Sequence, residues 1–133
     1  MIFVDTGGWF GSIVPTDENH EKARDWFLQN HQSLITTNYV IDETLTLFKA
    51  RGEYQRALQI GERFFNGSLT SVYDLNSEDI TETWKIFKQY SDKDWSFTDC
   101  SSKVVMEKLG ISRAFAFAFD IHFRQFSNIL VVP

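Results

Sequence analysis

Cysteine is almost missing from this sequence of 133 residues: only Cys100 is present. An internal disulfide is therefore impossible, and the usage fits a reducing compartment. Proline is nearly as scarce, with Pro15 and Pro133 alone. Repeats, low-complexity stretches and linkers are lacking too. No run approaches the ~18 apolar residues that a membrane span needs. The run from Met1 to Val4 is too short and uncharged for a secretory leader. Together these absences predict a cytoplasmic protein with no membrane partner. Basic residues are also in deficit, 13 against 18 acidic, for a net charge of −5. A plain duplex-binding protein is usually basic. Either nucleic acid is not the partner, or the acidic charge gathers where metal ions neutralise it.

Bulky apolar residues, by contrast, are abundant. The chain is 43% hydrophobic and 16% aromatic, with 13 Phe. At this length one domain over residues 1–133 is expected, burying roughly two-thirds of the surface its unfolded form exposes. Short apolar runs alternate with longer helical patterns, which predicts an α/β domain with a mainly parallel sheet. Strands are expected at 2–4, 33–36, 69–75, 114–119 and 128–132. Helices are expected at about 18–30 with Asp17 as cap, 38–51 stopped by Gly52, 53–65, 76–90, and 99–109 with Thr98 as cap and Gly110 as stop. Positions 5–16 read as a loop.

In open α/β sheets, sites form outside the carboxyl ends of strands and at nearby helix starts. Asp5 ends the first apolar run, in Ile2-Phe3-Val4-Asp5-Thr6-Gly7-Gly8. Asp120 ends the fourth, in Ala118-Phe119-Asp120-Ile121-His122. Asp99 stands at a helix start, where the dipole and free N–H groups favour its ionised form. Glu43 lies within the helix after the second strand. It shares a face with Val40 and Leu47, whereas its rival Asp42 sits beside Asn38, Thr46 and Lys49. Four converging carboxylates repel one another unless a cation stands between them. Magnesium or manganese, hard ions that take oxygen ligands, suit that place. One or two such ions at a phosphodiester would activate water and stabilise the leaving oxygen.

Four ordered segments carry a resemblance that spans nearly the whole chain. They are Phe3-Val4-Asp5-Thr6, the run from Thr36 to Leu45, Ser96-Phe97-Thr98-Asp99-Cys100, and Phe119-Asp120-Ile121-His122-Phe123. The chain resembles PIN-domain proteins, specifically the VapC-type ribonucleases of toxin–antitoxin pairs. The resemblance implies a PIN-like three-layer α/β/α fold around a mainly parallel five-stranded sheet. It implies that Asp5, Glu43, Asp99 and Asp120 form an acidic quartet for Mg²⁺ or Mn²⁺, with Thr6, Asn38 and Thr98 as supporting polar groups. It further implies metal-dependent hydrolysis of RNA leaving a 5′-phosphate, a separate antitoxin partner and a homodimer, for which the helices from Asn38 to Phe65 are a plausible contact surface. One departure concerns Gly7-Gly8, where the family commonly carries small residues such as Ser-Ala. Two glycines let the backbone turn closely around the site but loosen the loop.

Other polar residues have plainer readings. His122 is read as packing locally after its strand, since a metal-bound hydroxide needs no histidine base. Cys100 is read as a small buried residue without basic activation. Lys49, Arg51, Arg56, Arg63, Lys103, Lys108 and Arg113 default to solvated surface. Trp26, Phe64, Phe65 and Trp84 sit at helical spacing and read as core or subunit interface rather than as base-stacking platforms. Two other functions compete with the nuclease. A non-catalytic RNA-binding module of the same fold would bind RNA without metal and cut none. An aspartyl-phosphate phosphatase with Asp5 as nucleophile would want a second Asp two residues on, where Gly7 stands.

Overall fold

The computed structural model describes residues 1–116 and 129–133. Asp120 and His122 lie outside the described residues, as does the far part of the expected fourth strand.

Five parallel strands form one sheet in the order β3-β2-β1-β4-β5. They are β1 (Ile2–Val4), β2 (Leu34–Thr37), β3 (Ser71–Tyr73), β4 (Arg113–Phe115) and β5 (Leu130–Val132). Six helices among the described residues accompany them: α1 (Thr6–Ile13), α2 (His20–Gln29), α3 (Asn38–Ala50), α4 (Tyr54–Phe65), α5 (Ser77–Gln89) and α6 (Phe97–Leu109). The arrangement is the expected α/β/α domain. β1 lies at the centre with all three residues buried, the near-continuous apolar run that a parallel strand covered on both faces requires. The chain steps outward from β1 to β2 and β3, then returns to lay β4 on the other side of β1. That reversal is the topological switch point, and the crevice beyond the strand ends there is where such sheets bind ligands. Phe3 is in register with Ile35 on one side and Ala114 on the other.

The core is built from stacked aromatic rings. Trp9 stacks on Phe27 at 5.7 Å and meets Phe64 edge-on at 5.2 Å. Phe115 packs against Trp26 and Phe27, with centroids 4.3 and 4.8 Å apart. Trp9 also donates its indole N–H to the Thr36 hydroxyl (3.4 Å), and Thr36 in turn donates to the Val4 carbonyl (2.9 Å). A buried polar chain thus ties α1 to the two central strands.

Helix α1 corrects the expected loop at 5–16. Three glycines make this stretch a poor helix former, but tertiary burial of Trp9 and Phe10 outweighs propensity. Gly7 and Gly8 therefore do not turn a loop around Asp5; they form the first turn of α1. Gly8 serves close packing, because a Cβ there would stand 2.4 Å from the Phe115 ring and 3.0 Å from the Phe115 carbonyl. Two caps also differ. α2 begins after Asn19, with Asp17 accepting the Asn19 N–H (3.0 Å), and α6 begins at Phe97 with Ser96, not Thr98, as its cap. β3 is shorter than the apolar run around it, since only Ser71–Tyr73 pairs with β2.

Several apolar residues at helical spacing lie outside the core of the single chain. Ala57 and Phe64 of α4 are buried, but Leu58 and Phe65 are exposed, Phe65 at 76%. On α5, Ile80, Trp84 and Phe87 all face solvent. Conversely, Lys103 is buried and pairs with Glu107, against its expected place on the surface. Lys108 is also engaged. It donates to the Tyr73 hydroxyl (2.7 Å) and to Asp79 Oδ1 (2.9 Å), while Tyr73 donates to Asp79 Oδ2 (2.7 Å). Lys108 keeps its expected place on the surface, but with Tyr73 it covers the buried Asp79 and pins α5 and α6 to the edge strand β3.

Candidate active site

Asp5 stands where β1 hands over to α1, at the switch point. Its carboxylate belongs to a residue that is 2% exposed. Its N–H donates to the Phe115 carbonyl of β4 (3.3 Å), and its own carbonyl accepts from Trp9. The next residue, Thr6, turns toward α3 and donates its hydroxyl to Glu43 Oε1 at 2.6 Å.

Glu43 reaches this place because α3 starts directly at the carboxyl end of β2. Thr37 caps that start by accepting the Val40 N–H (3.1 Å). Glu43 is half-buried, while Asp42 faces solvent. Thr44, next to Glu43, donates to the Val40 carbonyl (2.6 Å) and lies 3.4 Å from the Thr6 hydroxyl. Sequence reading passed over Thr44. Its signal was weak, a hydroxyl on the apolar side of a helix beside the acid already singled out.

α6 delivers Asp99 from the opposite direction. Ser96 and Asp99 form a reciprocal capping box: Ser96 accepts the Asp99 N–H, and Asp99 Oδ2 accepts the Ser96 N–H, both at 3.0 Å. The signal for Ser96 was present in the sequence as Ser-x-x-Asp. The box fixes the Asp99 side chain at the helix start with only 8% of the residue exposed.

These elements converge on Glu43. Burial pushes its pKa above the ordinary 4.5, the Thr6 hydroxyl pulls it back, and the charges of Asp99 and Asp42 push it further up. The Thr98 hydroxyl of α6 also favours the ionised form. Glu43, Asp99, Thr6 and Thr98 are thus brought together, with Asp5 one residue from Thr6. Asn38 is directed elsewhere: its side-chain oxygen accepts the Leu75 N–H (3.1 Å) and ties the exit of β3 to the start of α3. Cys100 is buried, and burial together with the charge of Asp99 pushes its thiol up to about 11, so it holds no thiolate at neutral pH.

The donor set is all oxygen. Among the described residues no three His, Cys, Asp or Glu side chains stand close enough together to hold a metal ion. The site instead gathers a carboxylate pair braced by two hydroxyls. A half-buried carboxylate that feels the charge of a second one, beside hydroxyls that favour its ionised form, fits a hard divalent cation. No helix among the described residues is long and apolar enough to cross a membrane.

A central parallel sheet with carboxylates delivered to its switch point defines an acid-lined α/β/α domain. The chain belongs to the PIN domain family, whose model matches residues 2–129. It is similar to the 23S rRNA-specific endonuclease VapC20 of Mycobacterium tuberculosis, 27% identical over 129 residues that cover 97% of this chain and 98% of the relative. It is 29% identical over 113 residues to a VapC ribonuclease of Archaeoglobus fulgidus, covering 80% and 70% of the two chains. The crystal structure of Mycobacterium tuberculosis VapC20, described as a sarcin–ricin loop cleaving toxin, superposes with a TM-score of 0.85 at 26% identity, over 97% of this chain and 98% of that one.

Proposed function

We propose that this protein is a metal-dependent endoribonuclease, the toxin of a toxin–antitoxin pair, acting as one domain in the cytoplasm. The observation that carries the reading is Glu43, half-buried and braced by Thr6 and Thr98 against the charge of Asp99, in a chain whose relatives are named as RNA endonucleases. Glu43 and Asp99 would hold Mg²⁺ or Mn²⁺, with Asp5 and Asp120 completing the quartet on sequence grounds. Such an ion, when bound, lowers the pKa of a water and offsets charge at a phosphodiester.

The rest falls to the chain's own groups. Thr6 and Thr98 keep the Glu43 carboxylate ionised and oriented, which matters because burial favours its neutral form. The start of α6 orients the Asp99 carboxylate through the Ser96 cap. The reaction adds water to phosphorus and breaks the P–O3′ bond, leaving a 3′-hydroxyl and a 5′-phosphate. The substrate to try first is a ribosomal stem–loop of the sarcin–ricin type, since a relative of this fold is described as cleaving it. A separate antitoxin would restrain the activity. A homodimer is proposed through the α3–α4 hairpin, where Leu58 and Phe65 lie exposed; sedimentation showing only a monomer would remove it.

The test is cleavage of that RNA and of a mixed RNA pool with Mg²⁺ or Mn²⁺, with EDTA and Glu43→Gln as controls. The reading expects cleavage that disappears in both controls while the fold is kept. Equal cleavage by native protein and Glu43→Gln, or none by folded protein free of antitoxin, overturns it.

A further inference from the structure

Four aromatic rings run from the exposed face of α5 toward the helices that carry Glu43 and Asp99. Trp84 and Phe87 lie nearly parallel, 24° apart, with centroids separated by 6.0 Å. Phe87 meets Phe97 edge-on at 5.8 Å, and Phe97 faces Tyr39 at 6.1 Å. The inner end of this row touches the site through the chain itself. Phe97 directly precedes Thr98 and stands two residues before Asp99, and Tyr39 lies one helical turn before Glu43 on α3. The outer end lies in water, with Trp84 51% and Phe87 40% exposed. Lys88 holds its ammonium 5.3 Å from the centre of the Trp84 ring.

We propose that this row is a base-stacking track that leads single-stranded RNA to the acidic pocket; the inference rests on the ribonuclease reading. Helical spacing marks Trp84 as core or interface; it is not core, since the ring is half in solvent, and its row of rings ends beside the site. A chain of net charge −5 offers a polyanion little general attraction. Affinity must then come from contacts indifferent to charge, and every base has a π-face that stacks on aromatic side chains. Lys88 adds a cation at the outer ring, where a phosphate of the stacked strand needs one.

The experiment uses the full chain carrying Glu43→Gln, so that bound RNA stays intact, and measures its affinity for a labelled unpaired RNA oligonucleotide. Trp84→Leu keeps the surface apolar but removes the π-face, and is expected to weaken binding about 5- to 150-fold. Trp84→Phe is expected to stay within a few-fold of the parent. In the chain with Glu43 restored, Trp84→Leu should raise KM and leave kcat unchanged. Unchanged RNA affinity in Trp84→Leu overturns the track, whatever the chain cleaves. So does a shift in the monomer–dimer equilibrium on sedimentation with RNA binding intact, which would assign the row to a second copy of the chain. Trp84-dependent binding by a native chain that cuts no RNA would support the track and overturn the ribonuclease reading instead.

Discussion

The short hydrogen bond from Thr6 to Glu43 carries two roles at once. It favours the charged form of a carboxylate that burial disfavours, and it joins the end of β1 to α3. Thr6→Val keeps the shape and removes the donor, so cleavage should fall roughly 10- to 100-fold, the usual cost of losing a group that orients a ligand. Thr6→Ser should retain most activity, and steady-state kinetics on one RNA substrate would separate the two. Gly8 has a different kind of importance. Gly8→Ala pushes a methyl group into the Phe115 ring and carbonyl, which should cost about 1–3 kcal/mol of stability. Urea unfolding would show this as a lower midpoint at unchanged slope. A midpoint equal to the native one would mean that α1 can slide away from β4.

At the scale of elements, capping decides where the acids stand. Ser96→Ala removes the acceptor for the Asp99 N–H, and the fold should lose about 0.5–2 kcal/mol. The Ser96 N–H that holds the Asp99 carboxylate is backbone and survives the change, so cleavage by the folded protein should stay near native; a thermal melt beside a cleavage assay reads both. The Tyr73–Asp79–Lys108 triad is a purely structural counterpart. Burial pushes the Asp79 carboxyl up, but hydrogen bonds from Tyr73, Lys108 and the Asn76 N–H outweigh it and hold it below the ordinary 3.8. A carboxyl with a lowered pKa stabilises the fold above its unfolded value and loses that contribution as pH falls through the folded one. Native protein should therefore exceed Asp79→Asn in stability at neutral pH, with the gap closing below about pH 3.8. A gap that stays constant from pH 7 to pH 3 would show that the charge of Asp79 contributes nothing.

For the whole molecule, the strand order sets the outcome. The strand order reverses beside β1, and Asp5 follows that strand directly, while α3 and α6 pack together and carry Glu43 and Asp99. α3 also packs on α1, α4 and α6, so the site is braced from several sides. If the chain acts as one domain, chemical unfolding followed by tryptophan fluorescence and by far-ultraviolet circular dichroism should give coincident single transitions. Two separated transitions would mark a second folding unit.

Much of this was written in the order of residues. The apolar run before Asp5, the alternation of short strands with amphipathic helices and the Ser-x-x-Asp cap each follow from local chemistry, and they determined a parallel α/β sheet and its candidate acids. The preference for Glu43 over Asp42 was legible too, because neighbours one turn away share a helix face. Tertiary packing alone decided the rest. Burial of Trp9 and Phe10 made a helix of a glycine-rich stretch, against its propensity. Tyr73 and the buried Asp79 drew the surface Lys108 into a triad, and Leu75 drew Asn38 away from the acids. The same spacing that put Phe64 inside left Phe65 and Trp84 outside, since periodicity sets which residues share a face but not whether anything covers it.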